Sequence, residues 1–122
     1  DVKPGQCLLP PKDVREEISS LQVVDCTKPH TQEAYAIVKY DGTGSENGAA
    51  YPGDATLGKF AEGACGEHYE AYVGIAYQDS SLFFTYLLPS ARSWQEGDDR
   101  SVICFVTTTG EELTASVKNS RR

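Results

Sequence analysis

The chain has 122 residues, with 11 Lys and Arg against 18 Asp and Glu, four Cys and 39% hydrophobic residues. That length fits one domain, and its charged fraction of 24% argues against disorder throughout. A net charge of −7 and a pI near 4.7 exclude nucleic acid or an anionic membrane as the main partner, because phosphate binding needs a basic face. No apolar run approaches the roughly 18 residues of a membrane span.

Residues that interrupt regular secondary structure, Pro and Gly, indicate where the domain begins. Residues 1–6 contain Pro4 and Gly5 and no apolar repeat, so we expect a linker remnant there. A single domain then covers 7–118 and begins with a brief strand at 7–9. Residues 119–122 form a tail.

Further strands are predicted from β-branched and alternating apolar patterns. Segments 34–40 and 102–106 are apolar on both faces, as central strands are, and 21–26 and 82–88 also favour strands. Residues 90–100 look like a connector that holds Trp94. A hairpin turn at 109–111 is followed by alternating apolar side chains, which predicts a last edge strand through Leu113, Ala115 and Val117.

One segment has helical periodicity. After a Gly-rich stretch at 41–50 that predicts a surface loop, Asp54 is a suitable N-cap. Spacings of three and four residues then predict an amphipathic helix over 54–65 with Gly66 placed to end it, or one or two more turns before Gly74. Its apolar stripe consists of Leu57, Phe60, Ala61, Ala64 and Cys65. The predicted fold class is α+β, a mainly antiparallel sheet with one main amphipathic helix packed on it.

The four cysteines, Cys7, Cys26, Cys65 and Cys104, are dispersed and form no C-x-x-C pair. Two disulfides in an oxidising compartment is the favoured interpretation. Two alternatives stay open: buried free thiols, or a mixed metal site built from the Cys26/His30 and Cys65/His68 pairs. Spacing alone allows three disulfide connectivities. The positions of the cysteines in the predicted elements favour Cys7–Cys26 and Cys65–Cys104, the second bond joining helix to sheet.

Motifs for cofactors and catalysis are incomplete. Residues 53–59 match G-x4-G-K, but Phe60 stands where a P-loop needs Ser or Thr. The 41–52 segment has calcium-loop spacing but ends in Pro52 instead of a bidentate Glu. There is no G-x-S-x-G. We therefore predict no cofactor, no metal and no catalytic residue.

The candidate ligand or structural motif is Pro29-His30-x-x-Glu33. His30 and Glu33 are close enough to satisfy backbone groups in a turn before the 34–40 strand. The competing interpretation is a ligand-binding or acid/base pair. Tyrosines in the middle of the chain could likewise line a recognition surface or pack in the core.

Several fragments in order carry a family resemblance. Residues 5–8 (GQCL) resemble a "GDCL" opening, and 24–33 match a "VDCxxPHxxE" signature. Further matches follow along the chain: Tyr51-Pro52-Gly53, Cys65, Tyr72-Val73-Gly74, Pro89, Trp94, Gly97-Asp98, Arg100, Gly110 and Leu113. Over about residues 5–118 the chain resembles the septum formation domain of actinobacterial envelope proteins.

The resemblance implies a domain on the outer side of the cell membrane, in a full-length protein that is membrane-anchored. It brings no catalytic residues. We expect a non-catalytic binding module whose partner is an envelope or divisome protein or a wall component, in cell division or envelope assembly. The alternative is a wall-acting hydrolase or transferase that uses His30 and Glu33 as acid and base.

Overall fold

The computed structural model of the chain describes residues 2–9, 22–40, 51–97, 99–108 and 110–122. The predicted surface loop at 41–50 and Thr109 of the predicted hairpin turn lie outside these ranges. Among the described residues, none of the helices has the length and apolarity needed to cross a bilayer.

A five-stranded antiparallel sheet carries the fold, as predicted. Its spatial order is β2-β1-β3-β5-β4, so the two segments that are apolar on both faces, β3 and β5, lie inside the sheet. The strands are β1 (Cys7–Leu8), β2 (Val23–Val24), β3 (Gln32–Lys39), β4 (Phe83–Leu87) and β5 (Ser101–Thr107). Of the predicted strand at 21–26, residue 21 lies outside the described ranges, and among the others only Val23 and Val24 form a strand.

Helix α1 (Asp54–Val73) packs on one face of the sheet. It continues through Gly66, where the shorter prediction ended it, because Tyr69 and Val73 extend the buried stripe of Leu57, Ala61 and Cys65 at four-residue spacing. Packing along this stripe outweighs the cost of about 1 kcal/mol for an interior Gly. The helix ends at Gly74, whose positive φ of 93° forms a left-handed C-cap.

The start of α1 differs from the prediction. Asp54 is the first helical residue, and its carboxylate accepts a hydrogen bond from the Tyr51 hydroxyl. Gly53 precedes the helix and supplies no side-chain cap.

The segment predicted as a connector contains a short helix, α2 (Ala91–Gly97). Ser90 and Ser93 cap it reciprocally, each hydroxyl accepting the other's backbone N–H at 2.9 Å. Trp94 of α2 is 1% exposed, and the Arg100 guanidinium lies 3.7 Å above its ring. A 3₁₀ turn at Tyr77–Asp79 connects α1 to β4.

The predicted last strand is wrong. Leu113 makes a single bridge to His30, and of the three alternating apolar side chains only Leu113 and Val117 are buried, while Ala115 is exposed. In a strand all three side chains would line one face, so Ala115 would be buried together with Leu113 and Val117. The segment crosses to the end of α1 instead, where the N–H groups of Asn119 and Arg121 donate to the carbonyls of Tyr72 and Val73.

The predicted disulfides are confirmed. Cys7 bonds Cys26 and Cys65 bonds Cys104, with Cα–Cα separations of 5.2 and 5.5 Å. The second bond links α1 to β5 within the core, which also contains Tyr69, Val102 and Val106.

Candidate functional site around His30 and Glu33

A tight turn after Cys26 positions the motif. The backbone N–H and the hydroxyl of Thr27 donate to the Asp25 carboxylate at 2.9 and 2.8 Å, and the Lys28 N–H donates to the Asp25 carbonyl. The bond from the Thr27 N–H is the main cause that lowers the pKa of Asp25 below its usual value. The turn is followed by Pro29 and His30, which lead into β3.

His30 is 1% exposed. Its backbone exchanges two hydrogen bonds with Leu113, at 3.0 and 2.7 Å, and its Nδ1 lies 2.7 Å from the Lys28 carbonyl oxygen. Because a carbonyl oxygen can only accept, Nδ1 is the protonated nitrogen in that contact. Nε2 is buried and has no hydrogen-bond partner in the part of the chain that the structure describes.

Glu33 has no exposed surface. Its Oε2 accepts from the Tyr72 hydroxyl and, at 2.7 Å, from the Ser116 hydroxyl. Its Oε1 accepts from the Val117 N–H at 3.0 Å. The carboxylate therefore ties β3 to α1 and to the segment that follows β5.

A β-bulge follows this carboxylate in β3. Strand alternation puts Tyr35 on the same face as Glu33, and the shift in the pairing of β3 with β5 between Ala34 and Ala36 brings Ala36 to the α1 side as well. The Tyr35 hydroxyl donates to the Cys65 carbonyl at 2.7 Å. Burial is the main cause that raises the pKa of both Tyr35 and Tyr72 well above 10, and the bond to Glu33 adds to the effect at Tyr72.

The Cys7–Cys26 disulfide is the third component of the site. Cys7 is paired with Glu33 in the β1–β3 register, and its Sγ lies 3.5 Å from Glu33 Oε1. One donor atom each from Cys7, His30 and Glu33 lies within 4.8 Å of the other two. All three residues are buried.

Not every residue considered in the sequence belongs to this site. The mixed metal site that the sequence left open as an alternative to two disulfides is not assembled, because Cys65 is bonded to Cys104 and His68 is exposed on α1. The G-x4-G-K stretch forms the start of α1 and no phosphate loop. The tyrosines in the middle of the chain differ in exposure. Tyr69 is a core residue with no exposed surface, whereas Tyr77 is 36% exposed.

Three partners of Glu33 were missed by sequence reasoning: Tyr72, Ser116 and Val117. Ser116 and Val117 are 83 and 84 residues away along the chain. A local sequence pattern cannot predict a contact between residues so far apart in the chain. Tyr72 was noted among the tyrosines in the middle of the chain and within the Tyr-Val-Gly fragment of the family resemblance, but not as a partner of Glu33.

These features define an α+β domain with two disulfides, in which a buried His and Glu connect the sheet to the helix and to the last segment of the chain. The family model described as "Septum formation" matches residues 4–121, and the chain belongs to that family. No curated protein and no solved structure matched the chain.

Proposed function

We propose that this domain is a non-catalytic binding module on the outer side of an actinobacterial cell membrane, in a membrane-anchored protein of the division septum or the envelope. Membership of the septum formation family supports the cellular setting. The two disulfides support an oxidising compartment. Its partner in this proposal is an envelope or divisome protein or a component of the wall.

The observation that carries the non-catalytic assignment is the burial of His30 and Glu33. An acid/base pair must reach a proton on the substrate, directly or through one water. Here His30 is 1% exposed and Glu33 is fully buried, and both carboxylate oxygens already accept hydrogen bonds. These contacts support a structural role for the motif and argue against the alternative of a wall hydrolase or transferase.

Exposed aromatic side chains offer a contact surface. Phe83, on the edge strand β4, is 46% exposed, and Tyr77 is 36% exposed with its ring 4.8 Å from that of Phe84. Aromatic side chains supply large contact areas at low entropic cost, and they are enriched at the centres of interfaces. We therefore assign partner contact to the β4 side of the domain.

Capture from envelope extracts by the immobilised, disulfide-bonded domain tests this proposal. We expect a partner retained by the parent and lost with Phe83→Ser. Val23→Ser is the matched control, because Val23 is also 46% exposed but lies on β2 at the opposite edge of the sheet. Equal capture by both variants and the parent would contradict the surface assignment.

A second arm tests the catalytic alternative. Purified wall material is incubated with the domain, and soluble fragments are measured by chromatography. We expect no release above buffer. Release that disappears with Glu33→Gln, in a variant with the parent's circular dichroism spectrum, would establish the hydrolase instead.

A further inference from the structure

The donor atoms beside the Cys7–Cys26 bond have the chemistry of a metal site. A thiolate sulfur, an imidazole nitrogen and a carboxylate oxygen are the three ligand types that Zn²⁺ uses in proteins. Here the Cys7 sulfur, a ring nitrogen of His30 and a carboxylate oxygen of Glu33 lie within 4.8 Å of one another, and all three residues are buried. Such a mixed set favours zinc over calcium or magnesium, which take oxygen ligands.

His30 has the state that metal-ligating histidines have. A ligating imidazole usually donates its other ring N–H to a carbonyl or a carboxylate, which fixes the tautomer. The contact of Nδ1 with the Lys28 carbonyl at 2.7 Å does this, and leaves the lone pair on Nε2. A buried nitrogen lone pair without a partner among the described residues is costly, so this atom requires an explanation beyond packing.

Glu33 is held in the same way. Ligating carboxylates are themselves hydrogen-bonded, and Glu33 accepts from Tyr72, Ser116 and the Val117 N–H. These donors fix the orientation of the carboxylate relative to Cys7. Oε2 accepts from two hydroxyls, whereas Oε1, the oxygen that lies 3.5 Å from Cys7 Sγ, accepts only the Val117 N–H among these donors and has a second lone-pair direction.

The disulfide blocks the site, because the sulfur that binds zinc is the thiolate. Breaking the Cys7–Cys26 bond would release two sulfurs that are adjacent in the folded protein. Cys26 is not one of the three residues whose donor atoms already lie within 4.8 Å of one another, but its bond to Cys7 and its spacing of four residues from His30 place its sulfur next to them. With Cys7 from β1, the set reaches the four ligands of a closed structural zinc site.

We propose that the reduced protein binds one Zn²⁺ through Cys7, Cys26, His30 Nε2 and Glu33, and that this cation and the Cys7–Cys26 disulfide exclude each other. A dithiol supplies the two electrons that break the S–S bond and leaves as its own disulfide, while its two protons pass to the two sulfurs. Zn²⁺ then displaces both thiol protons to solvent.

The second disulfide is better protected from reductant. Cys26 is partly exposed, whereas Cys65 and Cys104 have no exposed surface. Limited reduction therefore opens the Cys7–Cys26 bond first, since thiol–disulfide exchange depends on access. The zinc-binding form keeps the bond that joins α1 to β5.

The test is zinc titration of the folded protein in both redox states. A water-soluble phosphine reduces one disulfide of the domain until two free thiols are measured. The phosphine becomes its phosphine oxide, and the oxygen atom comes from water. Zn²⁺ affinity is measured by competition with a chromophoric chelator, and the fold is followed by circular dichroism. We expect one equivalent bound by the reduced form and none by the disulfide-bonded form. Bound Zn²⁺ should also protect Cys7 and Cys26 from alkylation.

Variants separate this site from adventitious thiol binding. Tyr72→Phe removes a hydrogen bond that orients Glu33, and we expect its zinc affinity to fall about 10- to 100-fold. His30→Ala should abolish the site. His68→Ala, at the exposed histidine of α1, should leave the affinity unchanged.

Three outcomes would overturn the proposal. The first is equal zinc binding by the disulfide-bonded and the reduced protein. The second is a zinc affinity of the reduced protein that neither Tyr72→Phe nor His30→Ala changes. The third is zinc uptake only by protein that has lost its native circular dichroism spectrum. Failure of the reduced, folded protein to bind zinc would also overturn it, and would leave the binding-module function intact because that function concerns the disulfide-bonded domain.

Discussion

At the scale of single residues, His30 is a side chain whose burial constrains the fold. Its backbone pairs with Leu113 and its ring is held by the Lys28 carbonyl, so the residue joins the start of β3 to the segment after β5. These contacts support the structural interpretation of the Pro-His-x-x-Glu motif, which stays a prediction until a substitution is measured. A substitution of His30 should therefore change the stability of the domain.

We predict that His30→Ala, measured on the disulfide-bonded domain, lowers the free energy of unfolding by about 1–3 kcal/mol, the usual cost of losing a buried polar contact. A loss of 1 kcal/mol moves the melting temperature of a domain of this size by several degrees. His68→Ala is the matched control, since an exposed helical position should shift stability by less than about 0.5 kcal/mol. Thermal unfolding that is the same in the two variants would contradict a structural role for His30.

The Tyr51 hydroxyl gives a second residue-scale prediction. Its hydrogen bond to Asp54 raises its pKa to about 12. Because the folded pKa lies above the unfolded value near 10, this contact stabilises the domain below pH 10, and the contribution is lost as the pH rises through 12. Ultraviolet titration of tyrosinate should lose one late-titrating group in Tyr51→Phe. An unchanged titration curve near pH 12 would exclude the contact in solution.

At the scale of elements, the core of α1 and the two central strands could be predicted from periodicity, since Leu57, Ala61 and Cys65 share one stripe. Helix α2 could not. It has seven residues, too few for a periodic pattern, and it depends on the reciprocal Ser90 and Ser93 caps and on burial of Trp94.

The last segment was mistaken for a strand because Leu113, Ala115 and Val117 alternate. Its course is set by partners far away in the sequence. The Val117 N–H donates to Glu33, and the Asn119 N–H donates to the Tyr72 carbonyl at the end of α1. Periodicity reports which face of an element is buried, and it contains no information about such tertiary hydrogen bonds.

The glycines of α1 give the element-scale prediction. Gly63 and Gly66 are helical positions where an added Cβ would meet nothing within 4 Å. We predict that Gly63→Ala and Gly66→Ala each raise stability by about 0.4–1 kcal/mol. Gly74→Ala should destabilise instead, because its φ is 93° and the new Cβ would lie 3.3 Å from the Arg121 side chain. Denaturant unfolding measures all three, and a stabilised Gly74→Ala would contradict the left-handed cap.

At the scale of the whole molecule, two covalent links connect parts that the chain separates. Cys65–Cys104 joins the helix to the sheet across a separation of 39 residues, whereas Cys7–Cys26 spans 19 residues and joins β1 to the turn before His30. Both pairings could be predicted once the cysteines were placed in elements. The carboxylate that lies beside Cys7 could not be, because the pairing of β1 with β3 is not visible in the sequence.

The two links should contribute unequally to stability. Chain entropy assigns each about 3–4 kcal/mol, and doubling the loop length adds only about 0.6 kcal/mol. Packing should separate the two double variants more than loop length does. Cys65 and Cys104 are both fully buried between α1 and β5, whereas Cys26 is partly exposed, so replacing the first pair removes more buried contacts. We therefore predict a greater loss of stability for Cys65→Ala/Cys104→Ala than for Cys7→Ala/Cys26→Ala, measured by chemical unfolding of the oxidised proteins. The opposite order would contradict this prediction and would place the larger constraint at β1 and the turn.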